Sequence, residues 1–107
     1  MSTFDQREET FEKRFAHDEE LAFRAEARRN RLFGLWAAEK LGKTGAAAEA
    51  YADSLVLAEV AADSDARVFE QVRKDFAAAG VDQSEHQIRR TMDELLAKAR
   101  AEIKSGA

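Results

Sequence analysis

No proline interrupts the chain, so a helix that starts here can run until glycine or a polar turn ends it. Gly42 and Gly45 bracket one break, Asp63-Ser64-Asp65 marks a second, Gly80-Val81-Asp82 a third, and Gly106 stands next to the end. The pieces between them predict four helices, at about 18–41, 44–62, 64–79 and 84–104. Composition points the same way. Alanine fills 22 of 107 positions, with Glu, Lys, Arg and Leu abundant, and these residues lose least on entering a helix. An all-β sandwich, a disulfide scaffold and a Pro-rich or collagen-like chain are excluded, and the length allows one compact core.

Apolar periodicity assigns a buried stripe to each segment. In the first these are Ala22, Ala25, Leu32, Leu35 and Trp36, with Gly34 as a point of close approach. About 24 residues at ~1.5 Å each make this helix long enough to brace the other three. In the second, Ala48, Tyr51, Leu55, Ala58 and Ala62 recur at spacings of three and four, widened by Val56 and Val60. The third carries Val68, Phe69, Val72, Phe76 and Ala79, with Asp63 or Ser64 to cap its start and Gly80 to end it. Ser84-Glu85-His86-Gln87 has the spacing of a capping box. Behind it Ile88, Met92, Leu95, Leu96, Ala99 and Ile103 form the fourth stripe. The expected fold is all-α, an antiparallel four-helix bundle with a long first helix. Trp36 and Tyr51 read as packing residues between the first two helices.

The opening seventeen residues differ in kind. Their apolar content is nearly all Phe4, Phe11 and Phe15, set among Asp5-Gln6-Arg7-Glu8-Glu9 and Glu12-Lys13-Arg14. The three rings share one face if the segment is helical, but that face is thin. Periodicity alone leaves two readings open: an arm that orders against a partner, or an extension of the first helix packed on its own bundle.

Charge is sorted along this region. Residues 1–20 hold seven acids and three bases, whereas residues 24–31 hold four arginines, Arg24, Arg28, Arg29 and Arg31, against one acid. Such a cluster can grip phosphate. The overall charge of −4 and the lack of an aromatic stacking platform argue against nucleic acid and toward a solvated face or a protein contact.

Enzyme signatures are absent from the sequence. There is no cysteine, Gly-rich phosphate loop or nucleophile elbow. His17-Asp18-Glu19-Glu20 offers an imidazole beside three carboxylates, but Arg14 stands three residues before His17 and Gln83 before His86, so no Glu-x-x-His pair is formed. The acids fit a helix first turn instead. No catalytic residue, cofactor or metal is expected. No apolar run approaches the ~20 residues needed to cross a bilayer, and the charged start is unlike a signal peptide, so cytoplasmic residence is expected.

The run Phe15-Ala16-His17-Asp18-Glu19-Glu20-Leu21-Ala22-Phe23-Arg24-Ala25-Glu26-Ala27-Arg28-Arg29-Asn30-Arg31-Leu32-Phe33-Gly34-Leu35-Trp36 resembles the zeta subunit of alphaproteobacterial F-type ATP synthases, an inhibitor of the motor's ATPase activity. The likeness extends to Phe4-Asp5-Gln6-Arg7-Glu8 at the start, to the Gly42 break and to Ile88-Arg89-Arg90-Thr91-Met92. It implies a mobile inhibitory arm over residues 1–17 and a helical bundle over 18–107. The arm would enter a catalytic α/β interface of the synthase head as a helix and touch the rotor stalk, giving the α, β and γ subunits as partners. By that likeness Phe4, Phe11 and Phe15 are apolar anchors, while Asp5, Arg7, Glu8, Glu9, Glu12, Lys13 and Arg14 supply ionic pairing and register. Arg24, Arg28, Arg29 and Arg31 are candidates for secondary contacts. The free protein is then expected to be monomeric and, without entering the membrane, to sit beside it through the synthase head. The alternative is a nucleic-acid-binding or self-associating helical module.

Overall fold

The computed structural model describes the backbone of residues 3–57 and 64–105, and the side chains of 18–57 and 65–105. Four helices make up the described residues: α1 (Thr3–Lys40), α2 (Gly45–Leu57), α3 (Ser64–Ala79) and α4 (Glu85–Lys104). There is no strand among them. The helical backbone of α1 starts at Thr3 and is continuous through the position where the sequence suggested a boundary. Its 38 residues measure about 57 Å.

Glycine ends two of the helices as expected. Gly42 has φ 80°, the Lys43 amide donates to the Ala38 carbonyl at 2.8 Å, and the Gly42 amide donates to Glu39 at 3.1 Å. Gly80 repeats the arrangement after α3, with φ 70° and the Val81 amide donating to the Phe76 carbonyl at 2.9 Å. Both are Schellman motifs, in which a left-handed residue lets two amides turn back onto the last carbonyls. At the start of α4 the Gln87 amide donates to Ser84 Oγ and the Ser84 amide donates to Gln87 Oε1, so the capping box is present.

The core is built by all four helices: Phe33 and Ala37 from α1, Leu55 from α2, Val68, Phe69, Val72 and Phe76 from α3, Ile88 and Met92 from α4. Trp36 stacks on Phe33 at 5.7 Å and tilts against Phe76 at 5.5 Å, carrying the aromatic contact from α1 to α3. The guanidinium of Arg89 lies 4.3 Å above the Phe69 ring and joins α4 to α3 at the surface. Tyr51 is half-buried against the core, and its hydroxyl donates to Asp75 at 2.7 Å. It therefore links α2 to α3, not to α1 alone.

Several expected core positions are corrected. On α1 the buried side is Ala25, Arg29, Asn30, Phe33, Ala37 and Ala38, whereas Leu32, Leu35 and Trp36 are half-buried and Ala22 is exposed. A polar Arg29-Asn30 pair thus occupies the position the apolar stripe left empty between Ala25 and Leu32. On α2, Ala52 is fully buried where Ala48 was expected to be, because α2 crosses α1 at Gly34. Ala79 at the end of α3 is exposed. Ala58, Val60, Ala62 and the candidate cap Asp63 lie outside the described residues.

Candidate functional site

Packing divides α1 in two. From Ala25 onward the helix is buried on one side by the rest of the molecule, while over 18–24 every side chain is exposed except half-buried Leu21. The helix therefore continues N-terminal of the bundle without a covering layer on residues 18–24. The side chains of Phe4, Asp5, Arg7, Glu8, Glu9, Phe11, Glu12, Lys13, Arg14, Phe15 and His17 lie outside the described residues.

The arginine cluster sits where α1 leaves the core, and its four members diverge. Arg24 donates to Glu20 at 2.7 Å along the helix. Arg28 donates to Glu102 at 3.1 Å, near the C-terminal end of α4. Arg29 is 2% exposed, and its Nε donates to Asn30 Oδ1 at 2.7 Å while Nη2 reaches Asp65 in the first turn of α3. Arg31 donates to both Glu49 and Asp53 on α2, at 2.7 Å for Asp53, and its hydrogen bond to Glu49 is the largest cause raising the guanidinium above its ordinary value.

Each arginine of the cluster is thus engaged by a carboxylate of its own chain. A phosphate would have to displace Asp65 from Arg29, which solvent does not reach, and two acids from Arg31. The cluster cannot act as one phosphate-binding stripe without breaking the contacts that hold α2, α3 and α4 to α1. The partners of Arg28, Arg29 and Arg31 are not legible in the sequence because they lie 18 to 74 residues away along the chain.

A concavity not signalled by any motif opens between α2 and α3. Lys43, Tyr51, Arg67, Lys74 and Asp75 line it above a floor that includes Leu55. Burial and the hydrogen bond to Asp75 push the Tyr51 hydroxyl well above the usual phenol range. Among the described residues no group of three or more His, Asp or Glu side chains could hold a metal ion, and no helix is long and apolar enough to cross a membrane.

The fold and this site define a small helical protein whose first helix is tied to the other three by ion pairs and carries exposed residues at 18–24. The model of the ATPase inhibitor subunit zeta family matches residues 1–102, and the chain belongs to that family, the zeta subunit of the F-type ATP synthase to which the sequence pointed. A search of curated proteins found no match. Membership makes inhibition of an ATPase the general role.

Proposed function

We propose that the protein blocks ATP hydrolysis by the F-type synthase through occupancy. In this reading the N-terminal stretch of α1 wedges as a helix into a catalytic α/β interface of the head, beside the rotor stalk. The rest of the chain, an antiparallel bundle with the long first helix as its spine, stays outside as a scaffold. Residues 1–17 are the mobile arm of the free, monomeric protein. Phe4, Phe11 and Phe15 enter the interface, and Asp5, Arg7, Glu8, Glu9, Glu12, Lys13 and Arg14 set register. The inhibitor performs no chemistry and needs no cofactor, and it acts at the cytoplasmic face through the head.

The observation that carries this reading is the change in packing along α1. Residues 18–24 are exposed except half-buried Leu21, although the helix continues through them to Thr3. A helix stabilised by so little tertiary packing is marginal on its own, so a partner surface is the natural source of its stability. Ordering such a segment costs about 1–2 kcal/mol per residue, which buried Phe area and ionic pairs must offset. Arg24, Arg28, Arg29 and Arg31 enter this reading mainly as internal ties, with exposed Arg24 the member best placed to touch the head.

The test is ATP hydrolysis by the cognate synthase head with the full chain and with residues 1–19 removed. Ala25 is the first buried residue among those whose side chains are described, so the shortened chain is expected to keep its bundle. Strong inhibition by the full chain and none by the shortened one is expected, and equal inhibition by both would dispose of the wedge.

A further inference from the structure

Phe23 stands on the unpacked stretch of α1 and is 59% exposed, one of two large hydrophobic side chains left open among the described residues. Its helical neighbours are acidic. Glu19 lies four residues before it, Glu20 three before and Glu26 three after, all within one turn and on the same side of the helix. Glu20 is held by Arg24, whereas Glu19 and Glu26 make no ion pair among the described residues. An exposed aromatic ring framed by two unpaired carboxylates has the form of an interface anchor, a buried ring with charges around its rim.

We infer that Phe23, with Glu19 and Glu26, forms a second docking point on the synthase head, which seats in an apolar recess rimmed by Lys or Arg. The inference rests on the inhibitory reading above and adds to it a contact outside the arm. Charge selects the occupant. A second copy of this chain would bring four carboxylates together around two rings, and an anionic lipid surface would meet the same repulsion. A basic protein surface meets neither. The position of Phe23 also fits, since it lies six residues beyond the proposed arm of residues 1–17 and on the same continuous helix.

The experiment compares full-length protein with Phe23→Ala and with Glu19→Gln/Glu26→Gln in inhibition of the cognate head across a salt series, with thermal melting of each. The ring is exposed, so melting of Phe23→Ala stays near that of the parent. The concentration giving half inhibition is expected to rise about tenfold for Phe23→Ala, the usual loss for an aromatic anchor. For the double Gln variant the salt dependence flattens. Inhibition within twofold of the parent by Phe23→Ala, while the parent itself inhibits, overturns this docking point and leaves the wedge standing. A parent chain that fails to slow hydrolysis overturns the inhibitory reading and this one with it. Sedimentation that shows a dimer abolished by Phe23→Ala assigns the ring to self-association and likewise overturns the proposal.

Discussion

Gly34 of α1 and Ala52 of α2 approach so closely that a Cβ placed on Gly34 would lie 2.6 Å from the Ala52 Cα. The obstacle is backbone, so α2 itself has to move. Gly34→Ala gains about 1 kcal/mol of helix propensity. Overpacking at a helix crossing costs about 1–3 kcal/mol, and the clash wins. Urea denaturation is expected to show net destabilisation of about 1 kcal/mol for Gly34→Ala and more for Gly34→Val. A stabilised Gly34→Ala would mean the two helices are not in contact there.

Phe33 and Phe76 are fully buried and bracket Trp36. Phe33→Ala is expected to cost about 3–5 kcal/mol, a large part of what holds a domain of this size folded. In contrast, the arm pair Phe11→Ala/Phe15→Ala should leave the melting temperature almost unchanged and weaken inhibition strongly. A large fall in melting for the arm pair would place those rings in the core.

Arg29 and Asp65 allow a double-mutant cycle. Asp65→Asn leaves a buried guanidinium without its carboxylate, but Asp65 is itself exposed, so water softens the loss to about 1–2 kcal/mol. Arg29→Met/Asp65→Asn removes the buried charge too and should recover part of that loss. Additive effects in chemical denaturation would show that the pair is not coupled.

Tyr51 predicts an alkaline limb in stability. Its folded-state pKa is raised, so the folded protein keeps the phenol proton at pH values where the unfolded chain releases it. The contribution is complete below the unfolded phenol value of about 10 and declines as pH rises beyond it. Tyr51→Phe should flatten that decline while costing about 1 kcal/mol near neutrality through the lost bond to Asp75. An unchanged alkaline slope in the Phe variant would assign the limb to other groups.

Glu70 makes a small contribution of the opposite sense, on the acidic side. The hydrogen bond from Arg73 holds its carboxyl below the ordinary range, so its contribution is present above the unfolded carboxylate value and fades as pH falls through the folded one. Both groups are well exposed, so Glu70→Gln should alter the acid midpoint only slightly. A large shift would assign a dominant role to this pair.

What the sequence made legible was local. The Ser84-Gln87 box, the left-handed ends at Gly42 and Gly80 and the close approach at Gly34 depend on residues a few positions apart, or on one residue whose type admits few conformations. The α3 and α4 stripes were legible because Val72, Phe76, Ile88 and Met92 are strongly apolar on otherwise polar helices. On α2, alanine is nearly everywhere, so a stripe of alanines does not say which side faces inward, and Ala52 was missed. Arg29 was missed for a different reason. A search for apolar side chains cannot find a buried guanidinium whose carboxylate partner lies 36 residues away. The candidate arm was visible only as an anomaly of composition. The step from exposed residues 18–24 to buried Ala25 could not be read from composition, because it depends on how the other helices pack against α1.

Arg28 and Arg29 are neighbours on α1, yet one is moored to the tail of α4 and the other to the head of α3. Any load arriving along the helix from its N-terminal end passes Ala25 and meets this double mooring before it reaches Phe33. On the proposed wedge mechanism, a rotor straining against the N-terminal end would therefore pull on the whole molecule together, and the three shorter helices would serve as ballast.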